Sequence, residues 1–449
     1  MPIETPDTRE TPDTRLKPAP PSTLRRRRQG QRDVVAPLLA AAVGLCTVVP
    51  ALGSDARPTG LQASAEQTLT YESNLFRLPG DTPVPAGRQR SDTLSRTTLS
   101  GAAVMGLGRQ RLGVDWLWEA GRFNRNSALD HDASAVDLRF DWSTRGNLSG
   151  VLRAQRERSL VRFGSDGLVP GAEARNLGTT TRLEAAARLG GAARWSTEVD
   201  VQQIEQRYSA ASFRSRALDQ SSASAALHYR AAAAWRAWAG LREVRGRYPF
   251  FAQTPGGVDV EDRFDGRYID FGGRWADGGP STLDLRLSVG RTRFDRATAS
   301  DLSGLTGTAT WTWRPTGKLA VQTRLARDRG QESATLFFPG SGRVADFSRT
   351  TSSMGLTIDW AATAKIAMQL GMLQAERDLA DTRQDLFGRP QLLRGQDRTS
   401  VVSVGLTWSP QPGLSLGCEV ARENRGQQGL LSSDYDLTVG SCRARWNLR

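Results

Sequence analysis

Few side chains in this sequence are suited to catalysis or to metal binding. The 449 residues include only two histidines, His131 and His228, and three cysteines. Ser222 and Ser224 precede His228 in the run SSASAALHYR, but a serine nucleophile needs an oriented base and acid that the spacing does not bring together. No glycine-rich phosphate loop, metal-ligand spacing or acid pair stands out. We therefore expect no enzymatic activity, no cofactor and no metal.

The basic charge of the chain comes almost entirely from arginine. The formal net charge is +13, and the lysines are Lys17, Lys318 and Lys365. An excess of arginine over lysine reflects codon bias as readily as phosphate recognition, so nucleic acid is not an expected partner.

The N-terminus carries export signals. Residues 1–24 contain ETPDTR twice and then a proline-rich stretch, which predicts a disordered extension. Residues 25–53 combine a run of four consecutive arginines, an apolar stretch and a small-residue exit, as a signal peptide does. The alternative is a transmembrane anchor, but the run is short and contains Pro37 and Pro50. Residues 54–66 are predicted to form a short periplasmic segment.

The rest of the chain alternates between apolar and polar residues. In STLDLRLSVGRTRF, at Ser281–Phe294, every second residue from Leu283 to Val289 is aliphatic and the residues between are polar. This period of two is typical of β-strands, and it recurs along the chain.

Eight short turns alternate with nine longer polar connections, which gives about eighteen strands, with sixteen as the alternative. An even strand number, with short turns on one side and long loops on the other, is typical of outer-membrane β-barrels. We predict an all-β, transmembrane antiparallel barrel over residues 67–449, in the outer membrane of a Gram-negative bacterium after signal-peptide cleavage. Short turns would be periplasmic and longer loops external.

Aromatic residues favour a membrane barrel over a soluble β-sandwich, because barrels concentrate them at the two membrane interfaces. Ten tryptophans lie beside short turns or the chain end: Trp142, Trp195, Trp235, Trp238, Trp275, Trp311, Trp313, Trp360, Trp408 and Trp446. The residues beside the long loops predict a second girdle: Phe76, Phe123, Tyr208, Phe213, Tyr248, Phe250, Phe251, Phe294, Phe337, Phe338 and Phe347.

The polar positions of the strands predict a charged channel wall. The arginines expected to line it are Arg139, Arg182, Arg194, Arg236, Arg242, Arg274, Arg286 and Arg324. Acidic residues are about as numerous on this face, so one interpretation is a set of cross-strand ion pairs. The other is that some arginines contact an anionic or hydroxyl-rich chain. Excess positive charge in loops and strand ends would attract acidic polymer or lipopolysaccharide.

Two cysteines flank the last long connection. Pairing Cys418 with Cys442 also aligns Leu414 with Trp446, which predicts a cross-strand disulfide; the alternative is two free thiols. In the last strand, Leu437 and Val439 have one parity and Trp446 the other. This predicts either a β-bulge near Ser441 or a different strand register.

The stretch YESNLFRLPG at 71–80 resembles the start of EpsL-type outer-membrane proteins, which are encoded in exosortase-associated exopolysaccharide loci. The matching residues are Tyr71, Ser73, Asn74, Phe76, Arg77, Leu78 and Pro79, and Ser441-Cys442-Arg443-Ala444 is also similar. Glu72 stands where aspartate is more usual. The resemblance implies a role in polysaccharide export.

The expected function is therefore a non-enzymatic outer-membrane channel or accessory protein for exopolysaccharide export. Its expected partners are a polysaccharide chain, a periplasmic polysaccharide-export protein, and outer-membrane lipids with lipopolysaccharide. The alternatives are a general diffusion porin and a surface-display or adhesion barrel. Glu72 and Asn74 are also expected to close the first strand against the last.

Overall fold

The computed structural model describes residues 60–448, apart from 162, 164–174, 192, 233, 254–256, 277, 297–301, 330–349, 385–389 and 430–431. The predicted extension at 1–24 and signal peptide at 25–53 lie outside these residues, as do Phe337, Phe338 and Phe347. None of the described helices is long and apolar enough to cross a membrane.

Eighteen strands and two short 3-10 helices make up the described chain. The first nine strands are β1 (Gly60–Glu72), β2 (Asp92–Leu107), β3 (Gln110–Phe123), β4 (His131–Ser143), β5 (Leu148–Leu160), β6 (Leu177–Leu189), β7 (Trp195–Tyr208), β8 (Leu218–Ala232) and β9 (Trp235–Gln253). The others are β10 (Asp259–Ala276), β11 (Ser281–Phe294), β12 (Leu302–Trp313), β13 (Leu319–Asp328), β14 (Thr350–Trp360), β15 (Ile366–Gln384), β16 (Pro390–Gln411), β17 (Leu414–Gly429) and β18 (Tyr435–Leu448). The 3-10 helices span Ser127–Leu129 and Ala211–Arg216.

The strands form one closed antiparallel barrel, as predicted. Each strand pairs with its neighbours in sequence, and β1 also pairs with β18 from Ala63 opposite Leu448 to Glu72 opposite Val439. Because β1 begins at Gly60, residues 60–66 belong to the barrel and not to the predicted periplasmic segment. Closure leaves no unpaired edge, which a membrane-spanning sheet requires.

The outer face carries a continuous apolar belt next to the short turns. On β11 the exposed side chains Leu283, Leu285 and Val289 all point outward, and β10 contributes Ile269 and Phe271. Four alternate outward positions cover about 20 Å of strand at ~3.3 Å per residue. This span covers most of the length of the apolar band of an outer-membrane barrel, which is about 25 Å tall.

Tryptophans ring the short-turn edge of the belt, as predicted for most of them. Exposed members are Trp195, Trp235, Trp311, Trp313, Trp360, Trp408 and Trp446. Trp238 is an exception. It lies on the inward parity of β9, opposite His228, with the two ring centroids 6.1 Å apart.

The predicted second girdle is wrong for several of its members. Phe76, Phe123, Phe213, Tyr248 and Phe294 are all buried, whereas a lipid-facing girdle would expose them. They lie in apolar clusters in the long-loop half of the barrel, such as the packed set around Phe264, Phe294 and Tyr248. Aromatic residues therefore serve the lipid interface at one end and internal packing at the other.

The apolar parity reverses between the two halves of the barrel, which explains the irregular pattern of β18. Leu437 and Val439 point inward and are buried, whereas Trp446 and Leu448 point outward and are exposed. The register of β18 with β17 and β1 is unbroken, so the predicted bulge near Ser441 is wrong. Residues alternate regularly along β18, but the apolar side chains face inward in the long-loop half and outward in the short-turn half.

Candidate functional site

The lumen differs between its two halves. In the long-loop half, inward side chains such as Val401, Glu423 and Leu437 are at most 2% exposed. Near the short turns the inner wall is more accessible, and its side chains are mainly charged or hydroxyl-bearing. The lumen is therefore wide and polar at the short-turn end and closely packed at the other.

Four arginines occupy adjacent positions along the short-turn rim, and we call them the rim arginines. Arg230 on β8 pairs with Arg236 on β9, which pairs with Arg274 on β10. The backbone amide of Arg230 donates a hydrogen bond of 2.9 Å to the carbonyl of Arg194, which extends the row to the start of β7. Like charges placed directly opposite one another destabilise a sheet, so this arrangement is costly for folding alone.

The rim arginines lie at the wall of a cavity with a strong excess of positive charge. The charged groups that line it are Arg188, Arg194, Arg230, Arg236, Arg274, Arg286, Glu198 and Asp284, with His228 beside them. Six guanidinium groups therefore face two carboxylates among the described lining residues. Such a surface concentrates anions from solution.

Local contacts orient the rim arginines. Arg194 Nη2 donates to the Tyr229 hydroxyl at 2.7 Å, and Arg230 Nη2 donates to the Gly191 carbonyl at 3.1 Å. Arg274 Nε lies 3.7 Å from Asp284 Oδ1 on β11. The backbone register brings these side chains together, and contacts along the rim hold them.

Trp238 adds a flat aromatic surface to the same cavity. Its ring covers Gly272 on β10, where an added Cβ would lie 2.2 Å from the indole. Glycine is therefore required for the ring to lie against the wall. The position of Trp238 beside a short turn predicted a girdle residue, but its parity within β9 gives the correct orientation.

The predicted channel-lining arginines separate into groups. Arg194, Arg236, Arg274 and Arg286 line the cationic cavity. Arg139 is bound to Asp141 at 2.7 Å, and Arg242 is bound to Asp270 at 2.7 Å, so these two form ion pairs within the wall. Arg182 lies on β6, and Arg324 on β13 lies opposite Thr310.

Cross-strand ion pairs, the first interpretation of the charged wall, account for part of it. Arg153 on β5 bonds Asp137 on β4, and Arg242 on β9 bonds Asp270 on β10, so cross-strand ion pairs do occur. At the rim, by contrast, arginine faces arginine. Sequence reasoning missed Arg230 as a lining residue, although it has the inward parity.

A neutral hydroxyl wall borders the cationic one. Four consecutive inward positions of β12 are threonines: Thr306, Thr308, Thr310 and Thr312. Thr308 lies opposite Arg286 and Thr310 lies opposite Asp284. The sequence signal was the alternation TGTATWT, in which every second residue is threonine.

The YESNLFRLPG segment lies at the seam between β1 and β18. The Ser73 amide donates to the Thr438 carbonyl at 3.0 Å, and Asn74 Nδ2 donates to the Asp436 carbonyl at 3.2 Å. These bonds continue the β1–β18 ladder past the end of the strand, as expected for Asn74. Tyr71 is exposed on the outer face, and Leu78 and Pro79 continue the loop.

The same segment also folds into the barrel. Phe76 is 3% exposed and contacts Phe163 edge-to-face, with ring centroids 5.0 Å apart. Leu75, Leu94, Phe123 and Leu129 complete this cluster, which we call the mouth cluster. Phe76 is therefore part of an internal packing layer and not of the predicted outer girdle.

Arg77 anchors the segment in an unusual backbone conformation. Its φ is +56°, in the left-handed region that is uncommon for residues other than glycine. Its guanidinium is buried, 3.3 Å from Glu72. Burial lowers the pKa of Arg77, but the Glu72 and Glu423 carboxylates raise it, and the net shift is upward. The buried charge is thus stabilised by carboxylates of β1 and β17.

Cys418 and Cys442 lie directly opposite one another on β17 and β18, and their sulfurs form a disulfide. Both residues are on the outward parity and are exposed at the belt. The disulfide therefore contacts the apolar surroundings of the barrel and leaves the lumen unobstructed.

The remaining polar candidates do not form a catalytic or metal site in the described part of the chain. His228 Nε2 lies 3.8 Å from Glu198 Oε2 and faces Trp238. His131 Nδ1 contacts the Leu129 carbonyl at 3.0 Å, next to the mouth cluster. No group of three or more metal-ligating side chains occurs among the described residues.

No protein-family model matches the chain, and no curated protein is similar to it in sequence. Among solved structures, OccK2 (OpdF) of Pseudomonas aeruginosa is similar to it with a TM-score of 0.51 and 12% identity, covering 86% of this chain and 98% of that one. OccK9 (OpdG) and the outer membrane protein OpdK of the same organism each align with a TM-score of 0.46, at 15% and 12% identity. They cover 86% and 87% of this chain, and 98% and 99% of their own. The architecture of this chain is a closed, eighteen-stranded antiparallel β-barrel of the outer-membrane type, a fold that it shares with OccK2.

Proposed function

We propose that this protein is an outer-membrane channel that conducts anionic solutes, and that the rim arginines select them. The observation that supports this most directly is the row of like charges at Arg194, Arg230, Arg236 and Arg274. Arg274 faces Asp284 on β11, but Arg236 has an arginine directly opposite on both neighbouring strands. A fold that needed only rigidity would place a carboxylate there, as it does beside Arg153 at Asp137. Arginines favour carboxylate and phosphate because their planar donors match both groups.

The charge at the short-turn end supports loading from the periplasmic side. Exposed basic residues lie in or beside the short turns: Arg109, Arg145, Arg314, Lys318 and Lys365. Positive potential at a channel entrance raises the local concentration of anions. The rim arginines then lie immediately inside that entrance.

A second candidate is export of an acidic exopolysaccharide. The resemblance at Tyr71–Pro79 and the basic periplasmic end support this cargo, since an acidic polymer would meet successive guanidinium groups. The packed long-loop half, with Glu423 and Leu437 buried, favours small solutes over a polymer. We therefore place small anions first and acidic polymer second.

Single-channel recording in planar bilayers tests the proposal. The wild-type channel should be anion-selective, and a triple Arg230→Gln, Arg236→Gln, Arg274→Gln variant should lose most of that selectivity. Arg158→Gln, which removes an exposed outward charge from β5, is the matched control and should leave it unchanged. Cation selectivity in the wild type, or unchanged selectivity in the triple variant, contradicts the proposal.

Deletion of the gene separates the two cargoes. Polymer retained in the periplasm supports polysaccharide export. Normal surface polymer with slower uptake of small carboxylates or phosphates supports the porin function.

A further inference from the structure

The outer wall of β10 and β11 carries a basic patch directly above the apolar belt. The last apolar pair on this wall is Ile269 opposite Val289. The next outward pair is Arg267 opposite Arg291, and the one after it is Asp265 opposite Arg293. We call Arg267, Arg291 and Arg293 the headgroup arginines.

The headgroup arginines differ from the other charges on this wall. Nearby outward charges are paired: Arg245 Nη2 lies 2.8 Å from Glu243, and Arg247 lies 3.1 Å from Asp219. Within the described ranges, Arg267, Arg291 and Arg293 are exposed and have no ion-pair or hydrogen-bond partner. Two acidic residues lie next to them in the ladder: Asp265 is opposite Arg293, and Glu243, which pairs with Arg245, is opposite Arg267.

Their height on the barrel identifies the surroundings that they meet. The next outward residues toward the short turns, Ile269 and Val289, are exposed and aliphatic. In the opposite direction, β10 and β11 continue past the arginines toward the long loops. Since the long loops of such barrels are external, the patch lies at the headgroup level of the outer leaflet. Side chains at this level reach lipid headgroups while the residues below contact acyl chains.

The facing arginines Arg267 and Arg291 repel one another, and an anion would relieve that repulsion. Directly opposed residues have Cβ atoms about 5 Å apart, and like charges at that distance repel one another. A phosphate group between the two guanidiniums converts the repulsion into charge-assisted hydrogen bonds. Arginine suits this role because its planar donors bind phosphate oxygens in a bidentate manner.

We propose that Arg267, Arg291 and Arg293 form a binding site for the phosphate of an outer-leaflet glycolipid headgroup. The acyl chains of that lipid would lie on the outward side chains of Ile269, Phe271, Leu287 and Val289. The site is on the outer wall and not in the lumen, so a test of this site does not depend on the proposed channel function.

Thermal unfolding of the full-length barrel in detergent tests this site, with lipopolysaccharide added as the probe. Lipopolysaccharide should raise the unfolding temperature in a saturable way, and lipopolysaccharide freed of its phosphates should raise it much less. In the Arg267→Gln, Arg291→Gln double variant, the apparent affinity for intact lipopolysaccharide should fall about tenfold or more, the loss of one or two charge-assisted contacts. Arg122→Gln, an exposed outward arginine on β3 that pairs with Asp132, is the control and should bind normally.

Three outcomes overturn the proposal. If the wild type and the double variant bind lipopolysaccharide with equal affinity, these arginines do not form the site. If dephosphorylated lipopolysaccharide binds as well as the intact form, the site does not recognise phosphate. An equal stabilisation by inorganic phosphate alone shows a free-anion site and not a lipid site. Retention of the heat-modifiable folded band on gels confirms that the variants fold. Arg291→Lys keeps the positive charge but loses the planar guanidinium, so it should bind lipopolysaccharide with intermediate affinity.

Discussion

Arg236 and Arg274 lie directly opposite one another on β9 and β10, at the short-turn rim of the lumen. Arg230 flanks Arg236 on the other side, so positive charge is continuous across three strands. Elsewhere on the inner wall arginine pairs with aspartate, as at Arg242 and Asp270. The rim therefore presents a row of like charges to the lumen, whereas the wall further in presents ion pairs.

Anion selectivity should decrease as the salt concentration increases. The rim arginines act on permeating ions through water, and the Debye length shortens from about 10 Å at 0.1 M to about 3 Å at 1 M salt. The ratio of chloride to potassium permeability, taken from reversal potentials, should approach one over this range. A ratio that does not change with salt would show that ions are selected by direct dehydrated contact.

Gly272→Ala should narrow the channel. A Cβ at this position would meet the Trp238 indole at 2.2 Å, and the ring can only move away from the wall into the lumen. Single-channel conductance should therefore fall, and the added Trp238→Ala change should restore or exceed the original conductance. Gly273→Ala is the matched control, because Gly273 points outward and its Cβ would be 3.4 Å from the nearest atom, a carbonyl oxygen of Arg236.

Arg77→Ala should loosen the segment at the mouth of the barrel. Removing one partner of a buried ion pair leaves Glu72 uncompensated, at a cost of about 3–5 kcal/mol. We expect a lower unfolding free energy in urea and larger, noisier single-channel currents, because the mouth cluster loses its anchor. Glu72→Gln combined with Arg77→Ala should recover part of the stability.

The matched control for that experiment is Asp81→Ala, an exposed residue of the same loop. It should alter stability by less than about 0.5 kcal/mol. Equal losses for Asp81→Ala and Arg77→Ala would argue against a specific role for the buried pair.

Replacing Cys418 and Cys442 with alanine should destabilise the closing hairpin. The bond spans 24 residues, and a loop of that size corresponds to about 3 kcal/mol in the chain-entropy model. Urea unfolding of the oxidised protein and of the double variant measures the difference. Non-reducing mass spectrometry checks the premise, since a protein without a linked Cys418–Cys442 peptide would show no such difference.

The sequence by itself was sufficient for the architecture. Alternation along strands such as β11, together with the order of short turns and long loops, predicted an eighteen-stranded barrel. The pairing of Cys418 with Cys442 also followed, because the register of a hairpin is set by its own residues. These features are local, or depend only on strands that are neighbours in sequence.

The tertiary structure decided which residues meet across the barrel and which face excludes water. Arg194, Arg230, Arg236 and Arg274 come from four segments, and only the registers between strands place them in one row. Phe76 was predicted to belong to a lipid-facing girdle, but it packs inside the mouth cluster. The parity of Leu437 suggested a bulge, but Leu437 is buried inside the barrel against Ala421 and Tyr435. Sequence alternation shows that the two faces of a strand differ in polarity. Contacts between distant segments determine whether the inner or the outer face is apolar at each level of the barrel.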